Sequence, residues 1–314
     1  MRILVTGGAG FIGSHIVEHF QGKAEVRVLD NLRSGHLHNL KGLACEFIKG
    51  SVLDRPVVRQ AVDGVDYVFH LAAMISVPES MQKPIECVEI NTVGTLVVLE
   101  ETARAQVKKL VFSSSAAVYG DNPTVPKAET MLPEPKSPYA ITKLDGEYYC
   151  RMFANEGLLP TVCLRYFNVF GPRQDPQSQY AAAVPIFIVR ALRNGSITIF
   201  GDGNQTRDFI YVKDIAAANV HFAVNSAFTG IYNVAYGRRI AVNDLARMIL
   251  KSANSDAPIR YDLERAGDVK HSLAGIDKLR GTGFVPAGTL EEGLHVTVQS
   301  WPKEARKCQI NRFS

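Results

Sequence analysis

The sequence predicts a doubly wound α/β protein: a parallel sheet with helices on both faces, followed by a smaller α/β domain. Three observations carry this. Short β-branched apolar runs alternate with helical patterns through the first half, the runs are apolar at consecutive positions, and the rhythm changes after about residue 168. Strands buried on both faces lose the polar alternation of a half-exposed sheet, and helices between them supply the crossovers that parallel pairing needs.

In order, the strands are RILVTG from Arg2, EVRVLD from Glu25, CEFIKG from Cys45, DYVFHLAA from Asp66, KKLVFSSS from Lys108 and TVCLRYFNV from Thr161. Residues 93–104 (VGTLVVLEETAR) and 139–155 carry the helical patterns between them. Beyond residue 168, Gly and Pro punctuate shorter elements in GPRQDPQSQ, GDGNQTRD and APIRYDLERAGD. DFIYVKDIAAANVHFAV and GIYNVAYG again read as strand and helix, so the two domains exchange segments. The expected division is 1–168, with returning segments around 209–236, and 169–314.

Composition narrows the functional classes. With 314 residues and 46% apolar content the chain can bury a substantial core. The net charge of +4 is spread along the sequence, with one basic cluster at residues 303–307, so neither a nucleic-acid nor an anionic-membrane partner is expected. Five cysteines (Cys45, Cys87, Cys150, Cys163, Cys308) are far apart and form no C-x-x-C pair. That pattern argues against a disulfide framework and a zinc site and fits a reducing cytoplasm. No apolar run approaches the ~20 residues of a membrane span, and the first strand runs straight into a glycine loop with no signal-peptide layout.

That first strand ends in TGGAGFIG, placing glycines at Gly7, Gly10 and Gly13. Glycines there permit a tight turn, let a pyrophosphate approach the backbone, and allow close packing, while the following helix offers its first N–H groups to phosphate. A second strand ends in Asp30, whose carboxylate can bind the adenosine ribose hydroxyls. Together they predict a Rossmann-type dinucleotide site. Asp30 repels a 2′-phosphate and no arginine replaces it, so NAD is expected over NADP.

Further along, Ser137 can cap a helix that Pro138 starts, which puts Tyr139 and Lys143 at i and i+4 on one face. A phenol is a poor base near its ordinary pKa of ~10, but a neighbouring ammonium and a cationic nicotinamide both favour the phenolate. Ser113, Ser114 and Ser115 end the preceding strand at the sheet edge where open α/β folds bind ligands. One of them can hydrogen-bond a reacting oxygen. His15 and His19 share the spacing of helical metal ligands, but no third ligand is evident and no metal is expected.

GGAGFIG, Asp30, SSSAAVYG and YAITK resemble the extended short-chain dehydrogenase/reductase superfamily, and specifically its nucleotide-sugar 4-epimerases. The resemblance runs through LAA at Leu71, NTVGT at Asn91, RYFN at Arg165, GDGNQTRDF at Gly201 and RAGD at Arg265. It implies that Ser115, Tyr139 and Lys143 are the catalytic group. It also implies a redox-neutral cycle in which Tyr139 takes the sugar 4-OH proton, a hydride passes to tightly held NAD, and the 4-keto sugar turns before the hydride returns. Lys143 would bind the nicotinamide ribose and depress the tyrosine pKa.

The same resemblance places cofactor contacts at Phe11, Ile12, Asp30, Asn31, Leu32, Ser34, Gly35, Leu71, Ala72, Ala73, Asn91 and Phe167, with Ser51 and Val52 near the adenine. Many relatives carry Gly-Asp where this chain has Gly50-Ser51, so a carboxylate for the adenine amine is absent. Asn168, Arg207, Arg265 and Asp268 match positions that hold a nucleotide diphosphate and its ribose, the guanidinium fork suiting a diphosphate. Relatives restricted to unacetylated sugars carry a bulky tyrosine in place of Ser272. The small serine, with DPQSQYAAAVP and RAGDVKHS around it, implies that UDP-N-acetylhexosamines are accepted beside UDP-glucose and UDP-galactose.

Three alternatives come from the same superfamily. A 4,6-dehydratase would place an Asp-Glu pair where this chain reads Ala116-Ala117, and a C6 dehydrogenase would need a nucleophilic cysteine; a 4-reductase is more distant. A non-catalytic NAD-binding sensor would have no need of tyrosine, lysine and serine together. The apolar faces of 93–104 and 139–155, with Gly146 permitting close approach, imply a homodimer.

Overall fold

The computed structural model describes residues 1–176, 183–264 and 270–301. Arg265, Asp268, the basic cluster at 303–307 and Cys308 lie outside the described residues. In chain order the first half runs β1 (Arg2–Thr6), α1 (Phe11–His19), β2 (Glu25–Asp30), β3 (Glu46–Lys49), α2 (Arg55–Val62) and β4 (Tyr67–His70). It continues with α3 (Val77–Gln82), α4 (Pro84–Val88), α5 (Gly94–Arg104), β5 (Lys109–Ser115), α6 (Pro138–Asn155) and β6 (Thr161–Tyr166).

The second half runs β7 (Asn168–Phe170), α7 (Ala183–Leu192), β8 (Ile197–Phe200), β9 (Thr206–Arg207), β10 (Phe209–Tyr211) and α8 (Val212–Val224). It ends with β11 (Gly230–Val234), β12 (Ile240–Ala241), α9 (Val242–Ala253), β13 (Ile259–Asp262), α10 (Asp277–Arg280) and α11 (Leu290–Gln299).

Seven of these strands form one parallel sheet in the order β11-β6-β5-β4-β1-β2-β3. The order reverses between β1 and β4, and the glycine loop opens beside that point, as in other open α/β sheets that bind ligands there. Alternation along β1 divides the core. Ile3 and Val5 pack against α1 and α8, whereas Leu4 packs with Val58 of α2, Val98 of α5 and Phe153 of α6 on the other face. A third apolar cluster joins α7, α9 and α11 through Ile188, Leu245 and Leu294.

Capping explains several boundaries. Ser137 accepts from the Ala140 amide and Pro138 opens α6, as the sequence predicts. Lys109, buried at the start of β5, donates to the carbonyls of Phe222, Asn225 and Phe228 and so caps the negative end of α8. The helix expected at 93–104 begins earlier. Its path runs from Pro84 through a wider π turn at Glu89–Val93, and that turn carries Asn91.

One expectation is corrected. Gly146 does not offer room to a second protein chain: it faces the sheet, where an added Cβ would lie 2.2 Å from the Phe112 ring. The missing side chain lets α6 settle on β5, and Phe112 in turn lies 5.1 Å from the Lys143 ammonium.

Candidate active site

A cavity of about 570 Å³ opens at the carboxyl edge of the sheet. Gly7, Gly10, Phe11, Ile12, Gly13, Asp30, Asn31, Ser34, Gly35, Ser51, Val52, Leu71, Ala72, Ala73, Tyr139 and Lys143 all line it, so most of the expected cofactor residues share one space. The turn after β1 leaves no room for side chains. A Cβ on Gly7, at φ +71°, would sit 2.8 Å from the Ala72 nitrogen, and one on Gly13 2.3 Å from the Gly7 carbonyl. Bare backbone therefore faces the cavity at the positive end of α1, as a pyrophosphate needs.

Asp30 is held by the Ala9 amide at 3.0 Å and the Leu32 amide at 2.8 Å. Burial pushes its pKa up, against the two backbone bonds. Each oxygen keeps a lone pair for a ribose hydroxyl. Arg33, within the 30–35 stretch that the resemblance places at the cofactor, also lines the cavity, but its guanidinium is paired with Glu79 and Glu86 and does not offset the charge of Asp30. Ser51 accepts from the Leu53 amide at 3.2 Å within its own turn.

Three expected cofactor residues are not among the cavity lining: Leu32, Asn91 and Phe167. Leu32 supplies the amide that holds Asp30, and Phe167 is core, packed near Tyr119. Asn91 accepts from the Met74 amide at 2.7 Å and donates to the Met74 carbonyl and Thr142 Oγ1, each at 3.0 Å. It fastens the 71–74 loop to α6 from behind.

That loop is fixed from below as well. Thr95 Oγ1 donates to the Asn91 carbonyl, so it accepts from His70 Nε2, and His70 Nδ1 then accepts from Thr6 Oγ1. Thr6 in turn receives the amides of Leu71 and Ala72. Burial foremost holds His70 down at about 3, which keeps the ring neutral for this chain of bonds.

The three serines part company. Ser113 bonds the Tyr166 hydroxyl at 3.0 Å, Ser114 donates to Glu147, and Ser115 accepts from the Ala117 amide at 3.1 Å on the side of Tyr139, whose pKa it draws down. Tyr139 and Lys143 are neighbours on α6, with the ammonium 5.8 Å from the phenol ring centroid. Lys143 donates to the Ser113 carbonyl at 2.8 Å, and burial brings it down to about 8.

The expected lowering of the tyrosine pKa by lysine is not what the protein alone provides. Burial raises the phenol, Ser115 opposes that, and the ammonium is turned toward Ser113. A cationic nicotinamide, when bound, would favour the phenolate.

Behind the pair, Glu147 continues the same helix face at the next turn. It receives Arg165 at 2.8 and 2.6 Å and the Ser114 hydroxyl, all buried. Sequence reasoning passed over this clamp, although Tyr139, Lys143 and Glu147 repeat every four residues.

Of the residues expected to hold the sugar nucleotide, Arg207 and Ser272 lie on neighbouring stretches of backbone. The Thr206 amide bonds the Lys270 carbonyl and the Ser272 amide bonds the Thr206 carbonyl, each at 3.0 Å, setting 270–272 alongside β9. Asn168 donates to the Asp208 carbonyl at 3.0 Å. The Asp208 carboxylate, pushed up to about 6 by burial, gathers the amides of Tyr236, Gly237 and Ala274 beneath them.

The chain matches, over residues 3–235, the family described as NAD dependent epimerase/dehydratase. The chain belongs to that family. A putative UDP-glucose 4-epimerase of Methanocaldococcus jannaschii is 39% identical over 304 residues, covering 96% of this chain and 98% of that protein. Among solved structures, a UDP-N-acetylglucosamine 4-epimerase from Methanobrevibacter ruminantium, in complex with UDP-N-acetylmuramic acid, is 42% identical. It superposes with a TM-score of 0.91 over 95% of this chain and 97% of that one. The Thermus thermophilus UDP-glucose 4-epimerase, in complex with NAD, is 37% identical, with a TM-score of 0.86 over 96% and 98% of the two chains. As a member of this family the chain is an NAD-dependent enzyme of the extended short-chain dehydrogenase/reductase superfamily, and the glycine turn and Asp30 are the features that fit NAD.

Proposed function

We propose that the chain is a UDP-sugar 4-epimerase that accepts UDP-N-acetylglucosamine and UDP-N-acetylgalactosamine as well as the unacetylated pair. The observation that carries this is that Tyr139 and Lys143, one helical turn apart on α6, both line the cavity that the glycine turn and Asp30 shape for a dinucleotide. NAD, when bound, supplies the hydride acceptor. Tyr139 removes the proton of the sugar 4-OH and restores it after the 4-keto sugar has turned, Ser115 holds the reacting oxygen, and Lys143 binds the nicotinamide ribose. Arg207 and Asn168, with Arg265 and Asp268, hold the UDP moiety.

The finer choice of sugar rests on Ser272. It shares the 206–207 and 270–272 ladder with Arg207, and in this reading its short side chain is what leaves room for a C2 substituent. The likeness to a UDP-N-acetylglucosamine 4-epimerase at 42% identity supports the same choice. Residues 1–168 with the returning segments around 209–236 form the NAD domain in this reading, and 169–314 the sugar-nucleotide domain. A homodimer belongs to it as well. Ile85, Val88 and Val93 lie exposed on the path from α4 to α5, as do Ile141, Tyr148 and Met152 on α6, and Thr92 joins the two helices through Asp145 at 3.0 Å.

The test incubates the enzyme separately with UDP-glucose, UDP-galactose and their two N-acetyl counterparts, without added NAD. Each should equilibrate with its C4 epimer with no net release of NADH. Failure of all four to equilibrate would overturn the assignment.

A further inference from the structure

Residues Arg173, Gln174 and Asp175 follow β7, outside the first six strands and their helices, yet all three line the dinucleotide cavity together with Gly10, Phe11 and His36. The segment is tied at three places to the elements that carry the glycine turn and the Asp30 loop. His15 Nε2 of α1 donates to the Pro172 carbonyl at 2.9 Å. The Arg173 guanidinium reaches Glu18 of α1 at 2.8 Å and Ser14 at 3.3 Å. Asp175 lies 3.7 Å from His36, in the loop that follows Asp30.

Two further features mark the segment as built for this place. Arg173 adopts φ +66°, a left-handed conformation that a side chain-bearing residue takes only when its surroundings hold it there. Glu18, its anchor, is shared with His15 and with Lys213 of α8 at 3.7 Å, and His15 foremost holds it down at about 2, so the carboxylate stays charged.

We propose that this segment is a strap that retains NAD, closed by Arg173 on Glu18 and by Asp175 on His36. A dinucleotide in the cavity meets the glycine turn on one element and the strap on another, and it leaves only when the ties open. Arg173 and Glu18 are positioning residues in this account. The proposal rests on the NAD site described above but not on the choice of sugar or on epimerisation.

The experiment follows release of NAD from purified holoenzyme, without sugar, by a dehydrogenase trap that reduces each released molecule. Glu18→Gln and Arg173→Ala should each release NAD about fivefold faster than the parent, the scale of one lost partly screened ion pair. Arg173→Lys, which keeps a cation for Glu18, should stay within about twofold. Parent-like release from both Glu18→Gln and Arg173→Ala overturns the strap, including the case where only the melting temperature falls. If Arg173→Ala does not fold, Glu18→Gln decides alone. An enzyme that fails to epimerise any UDP-hexose still reports its release rate, so the two readings fail separately.

Discussion

In the proposed function, Ser272 makes the choice between sugars a steric one. Replacing it with tyrosine fills the space assigned to a C2 acetamido group, and a pocket that loses that space discriminates by the cost of the clash. Ser272→Tyr should lower kcat/KM for UDP-N-acetylglucosamine by roughly 100-fold while sparing UDP-galactose within a few-fold, measured on the same preparation. Equal losses for both sugars would remove Ser272 from the specificity argument. At this scale the sequence was most legible where neighbours in the chain remain neighbours in the fold. Gly7, Gly10, Gly13 and Asp30 could be read because a turn and a strand end place them directly, and Tyr139 with Lys143 because a helix does. The three serines could not be told apart by pattern, since Tyr166, Glu147 and Tyr139, which separate them, come from other elements. Arg173 was missed for the same reason: its meaning lies in Glu18, far back in the chain.

At the scale of elements, α5 is joined to α2 by one buried carboxylate. Glu101, 1% exposed, takes Arg59 at 2.8 Å and Arg55 at 3.0 Å. The hydrogen bond from Arg59 foremost, then that from Arg55, holds it at about 2 against an ordinary 4.5. A carboxylate depressed in the folded state stabilises the protein above pH 4.5 and loses that contribution as the pH falls toward 2. Both arginines are half in solvent, which screens the pair. Glu101→Gln should therefore lower Tm by about 2 °C at pH 7, with the gap to the parent closing as the pH drops from about 4.5 to about 2.5. A constant gap would mean that packing and not charge is lost. The strands were readable from their apolar runs and α6 from its cap. Helix α2 was not, because its charged arginines hide a short apolar face, and the π turn at Glu89–Val93 leaves no periodic trace in so few residues.

At the scale of the whole molecule, the proposed homodimer would use the exposed apolar side chains of α4 and α6. Met152→Glu combined with Ile141→Glu should convert a dimer to a monomer in sedimentation equilibrium with the far-UV spectrum unchanged; a parent-like mass would place the interface elsewhere. The sheet itself sets another limit. Its outermost strand beside β6 is β11, drawn from residues 230–234, after the chain has already left the sheet and come back. The protein is thus not two cassettes in series. An engineer who exchanges everything after residue 168 for the same part of a relative, hoping to transplant sugar preference, also replaces a strand of the nucleotide-binding sheet and the helix α8 that Lys109 caps. A graft that respects the topology keeps 209–236 from the host and exchanges the flanking stretches around it.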